Sequence, residues 1–365
     1  MIRAILLTSI LLMAGVPAGA QSSNPQHATP GVPTQGRAGQ SSQAAGQRKI
    51  VVPTQEVLVP VTVKDRNGQL VAGLEKSDFQ IFCDGVEQQI GIFDANPFPL
   101  SAVVLVDNNL ATKEANQVQK SLISISGGFG PGDEVAVMKY QSYTEPVSDF
   151  SFNNDVLFTA LKRMEIGSHS TAMYGNDPTA MGSGPVVNGQ QLPTGQGVPQ
   201  HGSGRPANDI ALDDAIYAAG QMLKDRGRDR RKIIFLISDG SNSRHNIHTF
   251  DDTLHLLLES DILVYSVSVS RTVPGKSIFQ HGIGQADRYA IRTGGDVFYA
   301  AKESDLDRLY SSVTDEARNQ YTLTFSPHGQ DKTKDYHTIE VRVRRPDLDI
   351  RAPGGYYQSG LGVSQ

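Results

Sequence analysis

Ser101-Ala102-Val103-Val104-Leu105-Val106-Asp107 and Ile233-Ile234-Phe235-Leu236-Ile237-Ser238-Asp239-Gly240 are the stretches whose reading decides the fold. Each is an almost unbroken apolar run that ends in aspartate. Such a run predicts a strand buried on both faces, as strands of a parallel sheet are. Further runs follow at 134–140, 262–269 and 296–300. Helical patterns lie between them at 113–125, 155–164, 209–224, 249–259 and 283–293, and a last amphipathic stretch covers 304–319. Strands alternating with helices predict right-handed βαβ units and helices on both sheet faces. The expected fold class is therefore α/β, a doubly wound and mostly parallel sheet over 98–319.

The flanks read differently. Val57-Leu58-Val59-Pro60-Val61-Thr62-Val63 is a strand pattern, and Asp65-Arg66-Asn67-Gly68 is a turn. Asp84-Gly85 separates strand-like 79–83 from 88–93. After the last helix, 321–325 and 337–344 alternate as antiparallel strands do, and Gly354-Gly355-Tyr356-Tyr357 follows. The leading β segment (48–97) is close to the lower size limit for a domain folding alone. Proteins avoid exposed strand edges, so it is expected to pair with 320–358 in one small flanking β domain. The α/β rhythm breaks at 167–208. Residues 175–208 carry eight glycines and five prolines with hardly any apolar spacing, which predicts a disordered insertion.

Met1-Ile2-Arg3, the apolar 4–16 and the small-x-small Ala18-Gly19-Ala20 read as a signal peptide cleaved before Gln21. Residues 21–47, rich in Ser, Gln, Gly and Pro, are a flexible tether, and 359–365 a polar tail. The chain is expected in the periplasm or outside the cell, with no membrane insertion after cleavage. Its 365 residues carry a net charge of -5 without long runs of one sign, which argues against nucleic acid as a partner. The single cysteine, Cys83, excludes an internal disulfide and, in this reading, any Cys-based zinc site. It is read as a partly buried strand residue.

The strand-end motifs Val104-Leu105-Val106-Asp107 and Ile233–Gly240 resemble the first and fourth strands of von Willebrand factor A domains. The flanks Val61–Gly68, Val71-Ala72-Gly73-Leu74, Asp78-Phe79, Asp84-Gly85-Val86, Gln320-Tyr321-Thr322-Leu323 and Pro353–Tyr357 resemble the acidobacterial VWFA-related proteins. The resemblance covers about 57–357. It implies a metal-ion-dependent adhesion site at the top of the sheet, with Asp-x-Ser-x-Ser after strand one, a Thr in a later loop and an Asp after strand four. There Mg²⁺ would sit among oxygens and keep one position for a partner's carboxylate. This sequence departs from that pattern. Asp107 and Asp239 are in place, and Asn109 offers a carbonyl oxygen. Ala111 offers nothing. Ile210 stands where the Thr belongs by one alignment, and Thr171 is a second, partial match. The implied metal ligands are thus Asp107, Asn109 and Asp239, a degenerate set with Mg²⁺ held weakly if at all.

Bland readings stand beside these. Strand-end aspartates often cap the next helix, and Asp213-Asp214 in a first helical turn serve its dipole. His245, His248 and His255 lack the one-turn spacing of a ligand pair and are taken as surface residues. Gly127-Gly128-Phe129-Gly130-Pro131-Gly132 has no Lys-Ser/Thr of a phosphate loop. The leading expectation is a non-enzymatic adhesion module that binds another protein with little need of a divalent ion. The alternatives are a working Mg²⁺ adhesion site using Asp107, Asn109, Asp239 and Thr171, and a hydrolase built on the Asp107/Asp239 carboxylates.

Overall fold

A computed structural model describes residues 56–169, 186–187, 190–191, 210–269, 284–300, 302–331 and 333–358. The leader, the tether, the tail, Thr171 and nearly all of the insertion lie outside the described residues. Within the insertion, Val186–Val187 pairs antiparallel with Gln190–Gln191, a short ladder in a stretch expected to have none.

The parallel strands are β5 (Leu100–Asp107), β6 (Glu134–Tyr140), β8 (Arg231–Ser238), β9 (Ile262–Ser268) and β10 (Val297–Tyr299). A sixth strand, β7 (Thr144–Ser151), returns antiparallel along β6, and the sheet order is β10-β9-β8-β5-β6-β7. Sequence reading missed β7. It lies at the sheet edge, half exposed, and carries Pro146, so it has no continuous apolar run.

Alternation hidden inside the apolar runs assigns each residue to a face. Ala102, Val104 and Val106 of β5 pack with α1 (Thr112–Ser121), α2 (Asn154–Arg163) and α6 (Glu303–Arg318). Val103 and Leu105 face the other way, toward α3 (Leu212–Leu223), α4 (Phe250–Glu259) and α5 (Gln285–Thr293). The sheet is doubly wound, as expected. A 3₁₀ segment, Leu122–Gly128, completes what read as the end of the first helix.

The end segments do pair. β1 (Val57–Lys64) lies between β11 (Tyr321–Phe325) and β13 (Asp349–Arg351), and β4 (Ile90–Asp94) extends that sheet along β11. A second sheet runs β14 (Gly355–Tyr357), β12 (Tyr336–Val343), β2 (Phe79–Cys83), β3 (Val86–Gln88). Val57, Val59, Val61 and Val63 of β1 share one apolar cluster with Phe79, Ile81, Leu323 and Ile339, so the two sheets form a sandwich.

This sandwich sits at the amino ends of the parallel strands. Arg231, at the start of β8, donates to the Thr322 hydroxyl of β11 at 3.0 Å. Lys64, at the end of β1, pairs with Asp296 before β10 and with Glu316 late in α6. The carboxyl ends of the parallel strands are left to the loops.

Candidate functional site

In the order β10-β9-β8-β5-β6-β7 the chain first builds outward from β5 through β6, then restarts at β8 on the other side. The reversal point lies between β5 and β8. Open α/β sheets bind ligands in the crevice beyond such a point, because the loops diverge there. Asp107 is the last residue of β5, and Asp239 directly follows β8. The fold therefore brings together two residues that are 132 positions apart in the sequence numbering.

Asp107 is fully buried. Its Oδ1 accepts the Asn109 N–H at 2.9 Å, and its Oδ2 accepts the Ser238 hydroxyl at 3.1 Å. The Tyr140 hydroxyl donates to Ser238 Oγ at 2.9 Å and stands 3.4 Å from Asp107 Oδ2. Ser238 Oγ also accepts the Gly240 N–H at 2.9 Å. Burial, and next the neighbouring Asp239 charge, push the Asp107 carboxyl up from 3.8 to about 7. Asp239 is less buried, and its Oδ1 accepts the Ser241 N–H at 2.8 Å in a local turn. Asn109 is buried beside them.

These residues test the implied Mg²⁺. The ion asks for a near-complete octahedron of oxygens. Here both oxygens of Asp107 already accept hydrogen bonds from the protein. Ala111 directly precedes α1 and has no side-chain oxygen. Ile210 packs its side chain against the α3 side of the core and uses its carbonyl to accept the Ser243 N–H at 2.8 Å. Among the described residues the donor set does not fit a tightly held Mg²⁺, and no chemistry is routed through one.

The loop after β8 is irregular yet tied down by polar contacts that sequence reading missed. Asp213 is buried and accepts from Tyr289 at 2.8 Å and Asn242 at 2.8 Å. Asp214 accepts the backbone N–H groups of Ile247 and His248 at 2.9 and 2.8 Å. The α3 aspartates thus do more than face the helix dipole. They hold the loop. Asn242 Oδ1 accepts the Leu212 N–H at 3.1 Å, and the Ala211 N–H donates to the Gln141 carbonyl at 2.7 Å. Three loops are thereby joined into one surface: the one after β6, the one before α3 and the one after β8. The signal was the Asp-Asp pair at a helix start with an Asn-rich loop elsewhere, but only the fold shows that they meet.

The histidines do not converge. His245 is exposed, His248 stacks on Tyr217 with ring centroids 3.6 Å apart, and His255 pairs with Glu259 at 3.7 Å. The glycine-rich 127–132 forms the turn before β6, where Asp133 accepts the Gly130 and Leu100 N–H groups at 2.7 and 2.8 Å.

The fold and site define an α/β protein with a carboxylate pair at the switch point of its sheet. No protein-family model and no curated protein matches the chain. Among solved structures it is similar to a von Willebrand factor type A protein from Catenulispora acidiphila, with TM-score 0.43, 10% identity, and coverage of 84% of this chain and 64% of that one. It is also similar to an aerotolerance-related membrane protein from Bacteroides fragilis, with TM-score 0.39, 12% identity, and coverage of 60% and 98%. A third likeness is to proximal thread matrix protein 1 of the mussel byssus with a zinc-occupied MIDAS motif, with TM-score 0.39, 13% identity, and coverage of 66% and 50%. Likeness at this level assigns no activity, ligand or partner. No described helix is long and apolar enough to cross a membrane.

Proposed function

We propose that this chain is an exported, non-enzymatic interaction module of the von Willebrand factor A type, which holds a protein partner on the loops at the carboxyl ends of its parallel strands. The acidobacterial VWFA-related proteins are the group whose flanking motifs it resembles. The strand-end carboxylates are a degenerate metal site that keeps a structural role.

One observation carries the reading. The two most exposed large apolar side chains among the described residues are Ile247, 79% exposed, and Tyr143, 68% exposed. Both stand on the joined loops, Tyr143 after β6 and Ile247 after β8. Single exposed apolar residues are ordinary. Two on loops tied down by the α3 aspartates are different, because a surface ordered in advance loses little entropy on binding. Aromatic and aliphatic anchors on such a surface are what protein interfaces use. The closed hydrogen bonding of Asp107 favours binding without a divalent ion over the Mg²⁺-dependent alternative.

The test is site-specific photo-crosslinking in the full chain in its native envelope. The reactive side chain is placed at position 143 or 247, with controls at the exposed Ile92 and Phe152, which lie elsewhere. Adducts with one protein from 143 and 247, unchanged by EDTA, support the reading. Adducts from the control positions alone would remove it. Adducts from 143 and 247 that EDTA abolishes would establish the Mg²⁺-dependent alternative instead.

A further inference from the structure

Far from the strand-end carboxylates, the β sandwich gathers three different donor atoms. Cys83 ends β2 fully buried, paired across the ladder with Ile339 of β12. Asp84 and Gly85 follow with φ of 48° and 81°, the two-residue hairpin turn into β3. His337, near the start of β12, is also fully buried. The Cys83 sulfur, an Asp84 oxygen and a His337 ring nitrogen all lie within 4.8 Å of one another.

We propose that Cys83, Asp84 and His337 form a divalent transition-metal site of the Zn²⁺ class. Thiolate, imidazole and carboxylate together suit Zn²⁺ and exclude Mg²⁺ and Ca²⁺, which take oxygen alone. In a tetrahedral zinc site the donor atoms stand about 3.4–3.6 Å apart, so side-chain rotations on the order of an ångström complete the geometry. The backbone is already fixed. Asp84 Oδ1 accepts the Thr338 N–H at 2.9 Å and the Thr338 hydroxyl at 3.1 Å, which leaves Oδ2 turned toward the other two donors.

That Oδ2 faces His337 Nδ1 at 2.7 Å. Two acceptors cannot approach so closely without a proton or a cation between them. The other ring nitrogen, Nε2, lies 3.3 Å from Gln358 Oε1, where it can donate once Nδ1 is turned to the ion. This is the outer support that metal-binding histidines have, one nitrogen donating to a carbonyl and the other turned to the ion. Gln330 Nε2 donates to the Cys83 sulfur at 3.1 Å, an outer support to that ligand. On binding, the ion takes the place of the proton between Asp84 and His337 and displaces the thiol proton, and both protons leave to solvent. Asp84, the one partly exposed member, opens the entry path, and the fourth position is left to water. A nucleophilic cysteine is the weaker reading. Cys83 is fully buried, whereas reactive thiols are reachable.

The proposal reverses the expectation, drawn from the single cysteine, that any Cys-based zinc site is excluded. The fold supplies a histidine 254 positions away and an aspartate next door.

The experiment uses the full chain, stripped of metal by a chelator and titrated with Co²⁺. A thiolate ligand gives a cobalt charge-transfer absorption in the near ultraviolet that carboxylate and imidazole sites lack. The expected result is a band that saturates at one equivalent, is bleached by Zn²⁺, and vanishes in Cys83→Ala. Gln330→Leu should weaken binding by about 10–100-fold, as loss of an outer support does, and His337→Gln by more. Cys83→Ala removes a single sulfur and carries the test alone if His337→Gln does not fold. Absence of the band at millimolar Co²⁺ overturns the proposal. So does a bound ion lost in Asp107→Asn and kept in Cys83→Ala.

Discussion

Replacing Asp107 by Asn should stabilise the protein above neutral pH and weaken it in acid. The Asp107 carboxyl is pushed up to about 7, against 3.8 in the unfolded chain, first by burial and then by the Asp239 charge. A carboxyl whose folded value lies above its unfolded value holds its proton more tightly in the fold. Its effect on stability is therefore most favourable below pH 4, drains away between about 4 and 7, and is gone above. Three units at 1.36 kcal/mol each make the buried charge cost about 4 kcal/mol at pH 8. Asparagine carries no charge. It keeps the Oδ1 acceptor for the Asn109 N–H and puts an amide N–H toward Ser238 Oγ, where the hydroxyls of Ser238 and Tyr140 must turn. That rearrangement costs about 1–2 kcal/mol. The net expectation is Asp107→Asn more stable by about 2–3 kcal/mol at pH 8 and less stable by about 1 kcal/mol at pH 4. Differential scanning calorimetry across that range, with EDTA, reads it as a gain of about 5 °C at pH 8. A difference that does not change with pH would refute the buried-charge argument. Asp107→Asn weaker than the parent at pH 8 would do the same, and would favour an ionised Asp107 holding a cation.

Three further outcomes follow from the same contacts. Millimolar Mg²⁺ should raise the melting temperature by about 1 °C or less, since binding with Kd near the ligand concentration adds only about 0.4 kcal/mol; micromolar affinity in a calorimetric titration, lost in Asp107→Ala, would contradict it. Ending the chain at residue 319 removes both neighbours of β1 and should cause aggregation, so a soluble fragment with one cooperative melting transition would show that the first segment does not need the last. Asp133→Ala leaves Arg318 without the partner it meets at 2.8 Å, together with two backbone N–H groups, and should cost about 3–5 kcal/mol in urea unfolding; a loss under about 1 kcal/mol would mean water replaces the carboxylate.

What could be read from the sequence divides by range. The parallel strands were legible because burial on both faces forces nearly every position apolar, and the pairing of the end segments was legible because neither could cover its own edges. β7 was not, since an edge strand needs apolar residues on one face only, and Thr144–Ser151 has too few to signal it. At the site, Asp107 and Asp239 could be placed at strand ends from their position after apolar runs. The partners that close Asp107 could not. Tyr140 and Ser238 are ordinary strand-end residues whose hydroxyls matter only once β5, β6 and β8 lie side by side. Cys83 and His337 show the same limit: each was read within its own strand, while their chemistry depends on a ladder between β2 and β12.

The placement of the β sandwich decides which end of the sheet is free to bind. Lys64 and the half-buried Arg351 face the buried Asp296 and Glu316 in a group with two positive and two negative members, drawn from β1, β13, the approach to β10, and α6. Burial, and next the Asp296 charge, push the Glu316 carboxyl up to about 7, and loss of Lys64 would leave these carboxylates without their shared partner. Such a group adds little stability against an apolar equivalent. It does fix the alignment of four segments that are far apart in sequence. All four meet at the amino ends of the parallel strands, where Arg231 adds its contact to Thr322. The carboxyl ends carry no such cover from the sandwich. There the aspartates of α3 order the loops from within and leave Ile247 and Tyr143 turned outward. Among the described residues, one end of the sheet is thus occupied by the first and last strands and the other is ordered by its own loops with no cover from the sandwich, which is why the proposed binding face is assigned there.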